Sequence, residues 1–200
     1  MSMINEKFGP RVTSAWNELR PQTRNLLERA WHSKPAAVIE HSRAYDPRAD
    51  RELSRLLAAL DDRSQPRTAA AEDDSTQEAS RLADACVQML TQQTQSAEVF
   101  AQLIQRAHAR QQFARLDELA NGMSLRLAPS ELCDLARAPN VVVRALAHEV
   151  LAQAPTSLLR ALLYDPVDAE VARSVIERQA HEFGLEEAKR TLREIDELGG

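Results

Sequence analysis

Two stretches in the C-terminal half of this chain open alike, and that likeness constrains the fold more than any other feature. One is Ala138-Pro139-Asn140-Val141-Val142-Val143-Arg144-Ala145-Leu146-Ala147, and the other is Asp165-Pro166-Val167-Asp168-Ala169-Glu170-Val171-Ala172-Arg173-Ser174-Val175. Each is an acidic or polar turn carrying a proline, followed by an amphipathic helical pattern. Pro139 and Pro166 lie 27 residues apart, a period at which self-similarity signals stacked helical units. Such an array has a quasi-one-dimensional core and offers its long faces to partners.

The rest of the chain agrees with helix. Of 200 residues, 44% are hydrophobic, enough for a sizeable core, while only 4% are aromatic and five are glycine. Alanine, leucine and arginine dominate, and long Val/Ile/Thr runs are few, so the composition favours an all-α fold. Ile4, Phe8, Val12, Ala15, Trp16 and Leu19 draw one helical stripe, which Gly9-Pro10 interrupts, so the firm helix begins near Pro10. Pro21 opens a second helix with Leu26, Leu27, Ala30 and Trp31 on its buried face. A short helix holding Ala37 and Val38 follows the break at Lys34-Pro35. After Tyr45-Asp46-Pro47 comes a longer helix with Leu53, Leu56, Leu57 and Leu60. These helices read as two antiparallel hairpins over residues 1–60, with Trp16 and Trp31 as core.

Residues 61–76 lack apolar periodicity and concentrate charge, proline and small residues, which reads as a linker or exposed loop. Ser75 and Glu78 have capping-box spacing ahead of a helix over 76–93 carrying Leu82, Cys86, Met89 and Leu90. Ser96 to Glu98 caps the next helix, with Val99, Phe100, Leu103, Ile104 and Ala107 inward. Phe113, Leu116, Leu119 and Ala120 continue that spacing until Asn121-Gly122, read as a left-handed stop. From Pro129 the expected helices are shorter: 129–137, 140–153, 156–163, 167–183 and 185–198. Residues 77–200 thus form the expected repeat region.

Pro139-Asn140-Val141-Val142-Val143-Arg144, followed by Ala147, Val150 and Leu151, resembles the second helix of a HEAT-like repeat. In that family a turn ending in Asp/Asn-Pro precedes Val-Arg and then small and apolar buried residues. The copy at Asp165-Pro166 departs from it, because Val171 comes five residues after the proline and Ala172 stands where the family has arginine. Tyr45-Asp46-Pro47 echoes Tyr164-Asp165-Pro166. The resemblance implies an α-α superhelix of stacked antiparallel helix pairs, behind an N-terminal helical-hairpin unit. It also implies that Arg144 bonds across the turn, with Asn140 or a neighbouring acidic loop. Most members scaffold protein partners, although some HEAT-like proteins are lyases and others bind DNA, so fold alone does not fix function.

No catalytic constellation emerges. His148-Glu149 starts like a zincin helix, but Ala152 stands where the second histidine is required. His32, His41, His108, His148 and His181 are scattered, and Cys86 and Cys133 lack zinc-knuckle spacing, so no metal or cofactor is expected. Cys133 and His148 are the one conceivable nucleophile and base, yet Cys133 sits on an apolar stripe where a thiol stays protonated. Two unpaired thiols on apolar stripes fit a reducing compartment, and without a secretion signal or an apolar run of about 18 residues the default expectation is cytoplasmic and off the membrane.

The net charge is −5, yet residues 1–67 hold 12 basic and 9 acidic side chains while residues 68–200 hold 13 and 21. That acidic majority opposes nucleic-acid binding. Arginine outnumbers lysine 22 to 3 and is spread along the chain, which reads as compositional bias. The expected function is a non-catalytic adaptor that binds a protein partner, with Arg173, Glu177 and Arg178 as contact residues. The alternative is a small-molecule-binding or enzymatic helical domain with its site between the N-terminal hairpins and the repeats.

Overall fold

The computed structural model describes residues 8–32, 45–64 and 74–198, and among these the fold is all-α, with no strand. The chain divides into two compact units, Met1–Val99 and Phe100–Gly200. The short helix expected around Ala37 and Val38 lies outside the described residues.

In the first unit, α1 (Pro10–Glu18) and α2 (Pro21–His32) both begin at the prolines read as starts. Gly9 precedes α1 at φ +81°, a left-handed conformation that glycine adopts without penalty. α3 (Pro47–Ser64) buries Leu53, Leu56, Leu57 and Leu60, and α4 (Asp74–Gln93) buries Leu82, Cys86, Met89 and Leu90. α1 lies on α3, α2 lies on α4, and α3 packs along α4, so α1 and α2 each pack on a later helix. Ion pairs fix the direction: Arg11 meets Asp62 at 3.1 Å at one end, and Arg20 meets Asp46 at 2.7 Å at the other, so α1 and α3 run antiparallel. Trp16 is buried with the Arg24 guanidinium 5.6 Å from its ring centroid. Trp31 is only half-buried and stacks on His32 at 4.8 Å.

The stretch expected as a linker is helical at both ends. α3 runs on through Ser64, because the polar side chains there have partners: Asp62 holds Arg11, and Arg63 lies over the Phe8 ring at 5.4 Å. Ser75 sits inside the first turn of α4, where its hydroxyl accepts from Arg63 at 2.8 Å. α4 belongs with the first unit, although the sequence groups most of it with the repeats.

α5 (Ala97–Ala109) follows a cap in which the Ser96 hydroxyl accepts from the Val99 N–H, as expected. The chain then turns at Gln111, at φ +56°, into α6 (Phe113–Arg126). Two expectations fail here. Phe113, at the first helical position, projects beyond the core and is exposed. The helix also passes straight through Asn121-Gly122 to Arg126. Gly122 is buried in the helix, and an added Cβ there would meet the Arg126 guanidinium and stand 3.2 Å from the Phe100 ring. The stop comes from Pro129, which disfavours helical backbone at Ala128.

The remaining helices are α7 (Pro129–Ala136), α8 (Val141–Ala152), α9 (Thr156–Leu162), α10 (Ala169–His181) and α11 (Glu186–Leu198). Val143, Ala147, Val150 and Leu151 of α8 are buried, while Leu146 is half-buried. α7 packs on α8 and on α9, α8 also on α10, α9 on α10, and α11 on both α9 and α10. Glu149 near the end of α8 meets Arg178 near the end of α10 at 3.0 Å. Arg160 near the end of α9 likewise meets Glu194 in α11 at 2.7 Å.

One buried side chain holds the α8–α9 turn. Gln179 of α10 donates to the carbonyls of Ala152 and Ala154, at 3.0 and 2.7 Å, and accepts from the Thr156 hydroxyl at 2.8 Å. Gln179→Leu keeps the volume but strands these groups, and should lower stability by about 3 kcal/mol, the cost of several unmade buried hydrogen bonds. Thermal unfolding checks this, and adding Thr156→Val should recover part of the loss, because one of the stranded groups is then gone.

Candidate functional site

The most organised surface feature is the edge of the second unit where the α7–α8 and α9–α10 turns lie side by side. In the first turn, Asn140 caps α8, its side-chain oxygen accepting from the N–H groups of Val142 and Val143 at 3.0 and 3.2 Å. In the second, Asp165 Oδ1 accepts from the N–H groups of Val167 and Asp168 at 2.8 and 3.3 Å, closing an Asx turn around Pro166. Asp46 plays the same part before α3, accepting from the Arg48 N–H at 3.0 Å, so the Tyr-Asp-Pro echo carries a shared local geometry.

Arg137 binds the two turns together. Its Nη1 donates to the Val167 carbonyl at 3.0 Å, and its Nη2 donates to Asp168 at 2.8 Å and to Asp134 at 2.6 Å. The Asp168 side chain is 6% exposed and that of Arg137 32%. Burial opposes the Arg137 charge, but the hydrogen bonds from Asp168 and Asp134 outweigh it and hold the guanidinium pKa above its ordinary value. Sequence reasoning gave the bridging role to Arg144. Instead Arg144 donates to the carbonyl of Ala138 at 2.8 Å, within its own turn, and the Asn140 side chain is already occupied as a cap. Arg137 could have been found as a basic residue one helix end before a proline turn, facing an acidic loop one period on.

Apolar side chains crown this edge. Tyr164 is 78% exposed, Val167 64% and Val141 65%, and Pro139 and Pro166 are exposed beside them. Among the described residues every large hydrophobic side chain with comparable exposure lies in the second unit.

The expected contact residues sit together on α10. Arg173 is exposed and pairs with Glu177 at 3.1 Å, one turn along. Arg178 meets Glu149 on α8 at 3.0 Å and Glu182 at 2.7 Å, and lies 5.7 Å over the Phe183 ring, so its guanidinium ties α10 to α8. The Glu182 and Glu149 hydrogen bonds hold its pKa above the ordinary arginine value.

No group of three His, Cys, Asp or Glu that could hold a metal ion occurs among the described residues. Cys86 and Cys133 are buried. Burial, reinforced by the carboxylate of Asp168, pushes the Cys133 thiol up to about 11, where it stays protonated. His41 lies outside the described residues, and His108 is exposed. In the first unit an open cleft of about 630 Å³ is lined by Phe8, Pro10, Arg11, Val12, Asp62 and Arg63 among others. The Arg11 and Asp62 charges at its rim pair with each other. A buried carboxylate nearby in sequence, Asp50, accepts from Thr94 at 2.6 Å and Tyr45 at 3.0 Å, and with Arg20 braces the start of α3.

No family model matches the sequence, and no match is found among curated proteins or solved structures. No helix among the described residues is long and apolar enough to cross a membrane.

Two consequences can be measured. Arg137→Ala leaves the Asp168 carboxylate buried without its partner and should cost about 2 kcal/mol, less than a fully buried pair because Arg137 reaches solvent. Arg137→Ala with Asp168→Asn should cost less than Arg137→Ala alone in denaturant unfolding. Burial, then Arg178 and Arg144, hold His148 below the ordinary histidine pKa. The unfolded chain therefore takes up this proton at higher pH than the folded one. The stabilisation is complete above the ordinary value and is lost as pH falls through the lowered one. Between about pH 7.5 and about pH 5 the melting temperature of the native chain should fall further than that of His148→Gln.

Proposed function

We propose that this chain is a non-catalytic helical-repeat protein, HEAT-like in its second unit, whose function is to bind another protein. The observation that carries the reading is the alternation of packing from α7 to α11. α7 packs on α8 and α9, α8 and α9 each pack on α10, and α11 packs on both α9 and α10, with Glu149 near the end of α8 meeting Arg178 near the end of α10. Such alternation supports a reading as stacked helix pairs, which display turns in rows along their edges. The exposed apolar side chains of the second unit supply contact area. A second reading, a ligand-binding helical domain, draws on the open cleft beside Phe8 and Val12 in the first unit.

The test is affinity purification of the tagged full chain from its own source, with bound proteins identified by mass spectrometry. Beside it run Arg173→Ala/Glu177→Ala/Arg178→Ala and Val141→Ser/Tyr164→Ser/Val167→Ser, each shown to be folded by circular dichroism. A stoichiometric protein partner is expected, lost in one variant and kept in the other. No protein partner, together with a metabolite that raises the melting temperature, would replace the adaptor reading with the ligand-binding one.

A further inference from the structure

The α9–α10 turn is built to hold an apolar tip still. Turn tips favour glycine, asparagine, aspartate and serine because water solvates them, yet this one presents Tyr164, Pro166 and Val167 to solvent. Three constraints fix its backbone: the Asx turn of Asp165, the ring of Pro166, and the Arg137 bonds to the Val167 carbonyl and Asp168. A segment already ordered loses little entropy on binding, and an exposed tyrosine on such a segment is the kind of side chain that anchors interfaces. Arg137 bonds the tip to the end of α7, and the turn that follows α7 carries exposed Pro139 and Val141. Tyr164, Val167 and Val141, each 64–78% exposed, make this edge a ridge of projecting side chains, and such side chains are covered by a concave counterpart.

The surroundings of the ridge are acidic. Asp134, Asp165 and Glu170 are exposed, and Asp168 lies beneath. Against these four carboxylates stand three guanidiniums, Arg137, Arg144 and Arg173, the last paired with Glu177 at 3.1 Å. Arg137 is engaged by Asp168 and Asp134, which leaves Asp165 and Glu170 to set the field at the tip. Charge complementarity then asks for cations around the counterpart.

Resting on the protein-binding reading, we infer that the Tyr164–Val167 tip and the adjoining Val141 insert into an apolar cleft of a folded protein partner whose rim carries lysine and arginine.

A photo-reactive benzoylphenylalanine placed at Tyr164, and separately at Arg173, in the full chain expressed in its source cells tests this. The captured protein is then purified and titrated against the native chain. The Tyr164 probe should give a protein adduct. Tyr164→Ser/Val167→Ser, whose melting temperature should barely move because both side chains are exposed, should weaken the complex by about tenfold or more. Asp165→Asn/Glu170→Gln keeps the turn-closing oxygen but removes two charges, and should weaken binding by about threefold at low salt and less at high salt. An adduct from Arg173 only would overturn the ridge as the docking site while leaving the protein-binding reading in place. An adduct to nucleic acid or to a second copy of this chain, or binding indifferent to the charge variant, would overturn the stated partner chemistry. Silence from both probes would overturn both readings.

Discussion

The second unit depends on the bond between Arg137 and Asp168. Leucine and alanine stripes drive α7 to α11 together, but apolar burial is non-directional and alone sets no register between the packed helices. Arg137 sets it by reaching from the end of α7 to the loop before α10 and meeting a carboxylate that is almost fully buried. Its second nitrogen takes the Val167 carbonyl, so the same side chain orders backbone and charge together. On the opposite edge Gln179 does the matching work without charge, holding the α8–α9 turn by two carbonyls and a hydroxyl. The turns at the two ends of α9 are thus each held by a polar side chain from another helix, and the apolar interior between them is free to be simple.

The abundance of arginine has a structural explanation beyond composition. Arg20 braces the start of α3 through Asp46 and Glu52, Arg178 joins α8 to α10, and Arg24, Arg63, Arg126 and Arg178 each lie over an aromatic ring. These tasks use a planar, permanently charged fork that donates in several directions and stacks on a face, which lysine cannot reproduce. With so many guanidiniums turned inward to carboxylates, carbonyls and rings, a high arginine count is compatible with an acidic chain. What the second unit leaves to solvent is instead a set of large apolar groups, and the most rigidly presented of them stand on the edge that Arg137 organises.

Local signals were legible because they act through neighbours in sequence. Proline at a first helical turn marks α1, α2, α3 and α7, the Ser96 and Asn140 caps declare the starts of α5 and α8, and periodic leucines identify buried faces on α3, α4 and α8. These follow from backbone geometry and from a 3.6-residue repeat, which any stretch of chain carries by itself. The all-α class and the helix succession from Pro129 onward therefore came from the sequence alone.

The tertiary structure decided whatever depends on a partner distant in the chain. Gly122 looks like a stop until Phe100 and Arg126 occupy the space its side chain would need, and Phe113 looks buried until the turn at Gln111 carries it past the core. The charged residues after Leu60 look like linker until Arg11, Phe8 and Ser75 give them partners. The bridging arginine is Arg137 and not Arg144, because only the packing of α7 beside α9 brings Asp168 within its reach. A helix can be read from one segment, since its hydrogen bonds close within four residues. A staple such as Arg137–Asp168 requires two segments, and their distance is set by packing that no single stretch encodes.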